Sequence, residues 1–400
     1  MLTRLLRSAI TETYEFVNRC LPPRTHATAV IAPASQGSLG DQAILQGLQD
    51  GFVDREKFGE LNQICLPNYQ AIQLRGVQSR LTTITTSPYR DRVILSGTAL
   101  SHSNLVVAGA DIMDGYYNSG DVTIRCELLN RWVANGRKAT LAGFSFNEKP
   151  AQEAVVALQS LDPSVRVFAR DPLSLERLLA NGIKAELSAD LAFLMKPQID
   201  AQAHHETIDF FERQAHASVK VIGVNLHGPL FNVDHANRAN ETAKAVSTFL
   251  HNNPDWSACF VPHDYRGDCS DLDALQSLLR HCDPSLSSRI HLVEKKLCAW
   301  EAKWIAQQLS LAVSGRMHFV IACLGSGVPA LGASYQGKFE GLYRHFGVDD
   351  MAIQESFWSS SVNLLGAIES AVNRRKNISD SILKAIPGVR ALAQQNLPTS

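Results

Sequence analysis

The chain has 400 residues, more than one hydrophobic core usually holds, so two domains are expected. It is 45% hydrophobic and 19% charged, with 38 Lys plus Arg against 39 Asp plus Glu. That near-neutral balance gives no reason to expect a nucleic-acid partner.

At the N-terminus, "MLTRLLRSAITETYEFVNRC" has no unbroken apolar stretch and no clear cleavage site, so it does not read as a signal peptide. Leu2, Leu5, Leu6, Ile10 and Tyr14 fall at helical spacing. They predict an amphipathic helix packed on the body of the protein, with peripheral membrane contact as the alternative. No run of eighteen apolar residues occurs anywhere, so no transmembrane helix is expected.

Short apolar runs then alternate with helical patterns. Strands are predicted at 27–33, 92–95, 104–109, 138–145 and 165–169, and helices at 41–48, 122–135 and 172–182. The stretch 185–195 closes this half, and the polar segment 196–209 reads as a linker. A second series follows, with strands at 219–226, 258–264, 289–294, 309–315 and 328–334. Its helices are predicted at 239–253, 271–281, 299–308 and from about 316. Two further helical patterns follow residue 355, one with Leu364, Leu365 and Ile368, the next with Ile382, Leu383 and Ile386. Such alternation predicts an α/β protein with two doubly wound, Rossmann-like domains facing a cleft. The expected division is 1–200, 206–355 and a helical tail, 356–400. Eight cysteines occur without C-x-x-C spacing or a zinc-finger pattern. They read as reduced thiols of a cytoplasmic protein, and no metal is expected.

Ligands of open α/β sheets bind beyond the carboxyl ends of the strands. Three strand-to-helix turns carry unusual residues there. In "APASQGSLGDQAIL", Gly37 and Gly40 let a backbone approach a ligand, next to Ser38 and a helix N-terminus that Asp41 could cap. In "VFARDPLSLERLL", Asp171 reads as an N-cap and Pro172 as the first helical residue, which leaves Arg170 at the strand end. That arginine either meets a ligand or pairs with a carboxylate. In "SGRMHFVIACLGSGVPALGASYQGKF", Met317, Val320, Ile321 and Leu324 form a core stripe, with Ser314 as N-cap. Arg316 and His318 flank that stripe and can converge only at the first turn. A guanidinium, an imidazole and a helix N-terminus suit a phosphate or a carboxylate. The alternative is a buried structural histidine beside a surface arginine.

The segment 314–348 resembles the C-terminal signature of the polysaccharide pyruvyl transferase family: an R-x-H helix, a Gly-Val-Pro turn and a Tyr…Lys-Phe segment. "GSLGDQAILQG" at 37–47 is similar to that family's glycine-rich loop, and "ARDPLSLERL", "ADLAF" and "VPHDYRGDCSD" match in order. Departures lie in the N-terminal half. "VAGADIMDGYYN" at 107–118 stands where many members carry a triple glycine, Ser38 stands for a common Asn, and "GFSFNEKP" at 143–150 is also changed. They leave the acceptor's identity open.

The resemblance implies a GT-B-like fold, phosphoenolpyruvate as donor, a glycan or its precursor as acceptor, and a pyruvate ketal as product. It implies no metal or organic cofactor. The expected location, from the reduced cysteines and the N-terminal helix, is the cytoplasm or the inner face of the membrane. Arg170 and Arg316 would neutralise the donor's two anionic groups, with Gly37, Ser38, Gly40, Asp41, Ser314 and Lys338 around it. His318, with His263 second, would handle the proton. Two other readings fit the same residues: a glycosyltransferase using a nucleotide sugar, and a non-catalytic glycan-binding protein.

Overall fold

The computed structural model describes residues 12–23, 27–54, 61–67, 69–76, 80–84, 88–228, 235–267, 270–334 and 338–398. Two compact units are present. Unit 1 comprises Met1–Gln36, Ile44–Met195 and Val389–Ser400, and unit 2 comprises Gly37–Ala43 and Lys196–Gly388.

Unit 1 is built on a seven-stranded parallel sheet. Its strands are β1 (Ala27–Ile31), β2 (Leu61–Cys65), β3 (Arg80–Thr83), β4 (His102–Ala110), β5 (Lys138–Phe144), β6 (Arg166–Ala169) and β7 (Glu186–Leu187). They lie in the order β3-β2-β1-β4-β5-β6-β7. The central strand β1 is buried along its whole length, as a strand covered on both faces should be. The sheet packs on helices such as Ser119–Ala134, whose Trp132 is fully buried against a core containing Leu105, Val107 and Phe144.

Unit 2 repeats the plan with six parallel strands: β8 (Lys220–Asn225), β9 (Trp256–Phe260), β10 (Ile290–Leu292), β11 (Leu311–Ser314), β12 (Ala330–Ser334) and β13 (Ala352–Gln354). Their order is β10-β9-β8-β11-β12-β13. Each sheet therefore reverses direction beside its first strand, between β1 and β4 in unit 1 and between β8 and β11 in unit 2. Those reversals are the places where doubly wound sheets leave a crevice at their carboxyl edge.

Several expectations need correction. Residues 92–95 are not a strand but part of the helix Pro88–Ser101. Four apolar residues fit either element, and a proline at the first helical position favours the helix. Strands β2 and β3 escape sequence reading because β2 is polar at its centre. Gln63 is buried because its amide donates to Ile72 O at 2.7 Å and accepts from Ile72 N at 2.9 Å. Asn62 likewise donates to Thr82 Oγ1 at 3.1 Å. The two helical patterns after residue 355 are one helix, Ser361–Gln394, which carries Pro387 inside it. Leu2, Leu5, Leu6 and Ile10 of the expected N-terminal helix lie outside the described residues. The described part, 12–20, is helical, and its buried Asn18 donates to Ser96 O and Asn135 Oδ1 at 2.9 and 2.7 Å. Tyr14 is exposed. Among the described residues no helix is long and apolar enough to cross a membrane. The seven described cysteines are free.

Candidate active site

The carboxyl edge of unit 2's sheet gathers most of the expected residues. At the reversal, Ser314 ends β11 and Asn225 ends β8. Both are fully buried, and Ser314 Oγ donates to Asn225 Oδ1 at 2.6 Å. Ser314 is thus a strand terminus and not the helix N-cap. Arg316 takes the N-cap position of the helix Met317–Leu324, and its backbone N–H donates to Ser314 Oγ at 2.9 Å. That bond turns the chain sharply from strand to helix and aims the arginine along the sheet edge.

Arg316 is held by two carboxylates. Asp271, the first residue of the helix Asp271–His281, is fully buried. It accepts from Arg316 Nε at 3.1 Å and from Nη2 at 2.7 Å. It also accepts from the backbone N–H groups of Gly228 and His263, at 3.0 and 3.1 Å. Asp264 lies 3.3 Å from Arg316 Nη1, and Arg266 Nη2 donates to it at 2.8 Å. Two guanidinium groups therefore converge on one carboxylate. Burial works to raise the Asp264 pKa, but the hydrogen bonds and charges of Arg266 and Arg316 outweigh it and leave the group below the usual range. For the deeper Asp271, burial pushes upward against the pull of Arg316.

The glycine-rich loop belongs to this unit. Leu39 N–H donates to His263 O at 3.2 Å, Tyr265 N–H donates to Gly37 O at 3.1 Å, and Ser38 bridges Asp264. The loop thus runs antiparallel along 263–265. Gly37 sits at φ 114, and a side chain there would strike Arg266. At Gly40 an added Cβ would lie 2.4 Å from His318 Nδ1, so the histidine ring occupies the space the glycine leaves. The helix Leu39–Asp54 is capped by Ser38, whose hydroxyl accepts from Asp41 N–H at 3.2 Å. Asp41, expected as a cap, instead lies in the first turn, with its carboxylate 3.5 Å from Arg266 Nη1.

His318 is half-buried on the helix that follows Arg316. His263 is 4% exposed, with its ring edge-on to Phe319 at 5.8 Å. Burial, and then the charges of His318 and Arg316, push the His263 imidazole down to about 3. At neutral pH it is uncharged, so it can pass a hydrogen bond on but cannot act as an imidazolium acid. Lys338 opens the helix Lys338–Arg344 and is 7% exposed. Arg170 belongs to unit 1. Its Nη1 lies 3.0 Å from Asp190, its Nε donates to Ser145 Oγ at 2.7 Å, and its side chain is 2% exposed. Asp171 does cap the following helix, as expected. Asp271, Asp264, Arg266 and Asn225 carry the site's charge and architecture without having been singled out in the sequence. The "VPHDYRGDCSD" block was the only signal of the first three, and Asn225 stood unmarked at the end of a predicted strand.

Two Rossmann-like units with a charged site at a strand reversal describe a GT-B-like α/β protein. The solved structures that this fold resembles include S. aureus MnaA with UDP (TM-score 0.58, 13% identity, covering 93% of this chain and 94% of that one). A UGT transferase from Siraitia grosvenorii with UDP gives 0.54, at 8% identity over 92% and 98%. UDP-GlcNAc 2-epimerase from Neisseria meningitidis with UDP-GlcNAc gives 0.52, at 10% identity over 89% and 93%. At such identities the likeness speaks for fold alone. No curated protein matches the chain. The family described as polysaccharide pyruvyl transferase matches residues 39–337, and the chain belongs to that family.

Proposed function

We propose that the protein moves the pyruvyl group of phosphoenolpyruvate onto a sugar as a cyclic ketal. The observation that carries this reading is the meeting of the 37–41 loop, Arg316, Arg266 and His318 at the strand reversal of unit 2, in a chain of this family. Phosphoenolpyruvate carries a phosphate and a carboxylate on three carbons. Arg266 and Arg316, which now share Asp264, are the groups its anions would meet, with the N–H groups at the start of helix Leu39–Asp54 beside them. His318 delivers a proton to the methylene carbon, which becomes the methyl of the product. Carbon 2 gains cationic character and a sugar hydroxyl attacks it. The C–O bond to phosphate breaks, and a second hydroxyl closes the ring. The two hydroxyl protons balance the one gained by the methyl and the one carried off by phosphate. One well-placed acid–base group contributes roughly a hundredfold to ten-thousandfold in rate. The proposal gives Arg170 no donor contact, because its side chain, seated on Asp190 and Ser145, is only 2% exposed. Lys338 is kept as a further phosphate contact.

Arg316→Ala is a poor test, since it would strand the fully buried Asp271, a loss on the order of 3–5 kcal/mol. Arg266 is 41% exposed and can be changed safely. Calorimetry should show phosphoenolpyruvate binding to the wild type and binding about tenfold weaker to Arg266→Gln, since a charge-assisted contact is lost. Binding of UDP-sugars in place of phosphoenolpyruvate would turn the reading to a glycosyltransferase. Binding of neither would leave a non-catalytic protein.

A further inference from the structure

The carboxyl edge of unit 1 has a reversal of its own, and its side chains are of a different chemistry. Strand β4 ends at Ala110, and the segment 111–118 leads to the helix Ser119–Ala134. Tyr116 and Tyr117 stand on that segment at 60% and 56% exposure, with ring centroids 5.1 Å apart and planes at 89°. Two adjacent large aromatic side chains this exposed, at a strand reversal, are unlike the core aromatics of the same unit. Tyr117 OH donates to Asp111 Oδ2 at 3.4 Å. The segment is anchored from below by Asp114, which is 1% exposed. Its carboxylate accepts from Tyr116 N–H at 2.9 Å and from Asn147 Nδ2 at 2.7 Å. The rings are therefore presented on a fixed backbone.

From Asp111 to Asp121 the chain carries three carboxylates and no Lys or Arg. Asp114 is buried and Asp121 lies 3.8 Å from Arg125 Nη1, so Asp111 is the carboxylate beside the tyrosines, and it disfavours an anionic ligand there. A neutral, hydroxyl-rich ligand would find what it needs: aromatic faces for its C–H surfaces and carboxylate oxygens for its O–H donors. We infer that Tyr116, Tyr117 and Asp111 form a binding platform for an uncharged sugar of a glycan chain. Set at 89° to each other, the rings of Tyr116 and Tyr117 form a corner that packs on one face and one edge of the sugar, and Asp111 accepts from its hydroxyls. Its role as acceptor site rests on the pyruvyl-transfer reading, while the binding itself does not.

Saturation-transfer NMR with lactose, cellobiose, maltose and N,N′-diacetylchitobiose, without phosphoenolpyruvate, tests the platform. The wild type should transfer saturation to at least one of the four. Tyr116→Ala/Tyr117→Ala should weaken that affinity about tenfold, while Tyr116→Phe/Tyr117→Phe should keep most of it, because the ring faces remain. Both tyrosines are exposed, so the melting temperature should hold. Calorimetry on the alanine variant should show phosphoenolpyruvate binding as in the wild type. No transfer to any of the four sugars by the wild type overturns the inference. So does undiminished sugar binding by the folded alanine variant, or a joint loss of sugar and phosphoenolpyruvate binding. Tyrosine-dependent sugar binding in a protein that ignores phosphoenolpyruvate would sink the donor reading and leave this one standing.

Discussion

Arg316 shows how a single side chain is fixed. Its Nε–Nη2 edge lies on Asp271, and Asp271 is itself saturated by two backbone N–H groups. A guanidinium held this way loses little freedom when an anion arrives, which is how preorganised binding gains over flexible binding. His263 lies beside it with a different consequence. Its folded pKa of about 3 is below the ordinary value of 6.5, so the unfolded chain binds the proton more readily. The stability that this histidine carries is fully present above about pH 6.5 and is lost as pH falls toward 3. Thermal melts at pH 7 and pH 5 should therefore show a larger drop for the wild type than for His263→Asn. An equal drop would mean that the ring is protonated freely in the folded state.

Among the elements, the loop from Gly37 to Asp41 is the one the site depends on most. A methyl group at residue 40 would collide with the imidazole of His318, a clash far inside normal contact. Gly40→Ala should thus displace the ring and lower turnover by about tenfold or more, while phosphoenolpyruvate affinity changes little, because a proton-transfer geometry is lost and the anion contacts remain. Steady-state phosphate release set against calorimetry on the same variant checks this; normal turnover would mean that the ring has room to spare. The strand-to-helix turns here were legible because apolar runs, an Asp-Pro cap and glycines mark them in sequence. Strand β2 was not, since its buried Asn62 and Gln63 are satisfied by Thr82 and Ile72, partners that sequence spacing does not reveal. In the same way Arg316 and His318 could be read as a pair. The counter-charge from Asp271, forty-five positions earlier, could not, because only the fold brings it there.

On the scale of the whole chain, the last residues matter out of proportion to their number. Asn396 is fully buried in unit 1, where Gly143 N–H donates to its Oδ1 at 2.7 Å and its Nδ2 donates to Ala189 O at 2.9 Å. Leu397 is 1% exposed, and Arg166 Nη2 donates to Gln395 O at 3.0 Å. Deleting 389–400 should lower the melting temperature by several degrees, since two buried backbone groups lose their partners and a packed leucine is removed. The melting temperature of the deletion variant gives the answer, and no change would show that the tail only rests on the surface.

Unit 2 takes Gly37–Ala43 from the N-terminal part of the chain, and unit 1 takes Val389–Ser400 from the C-terminal end. Inheritance therefore does not follow the units. A crossover between two related genes near codon 196 would join one parent's glycine loop to the other parent's histidine and arginines. Hybrids made there would mismatch residue 40 with residue 318 and residue 37 with residue 266. Shuffled offspring should survive only when the loop travels with the C-terminal half, or when both parents share the same loop.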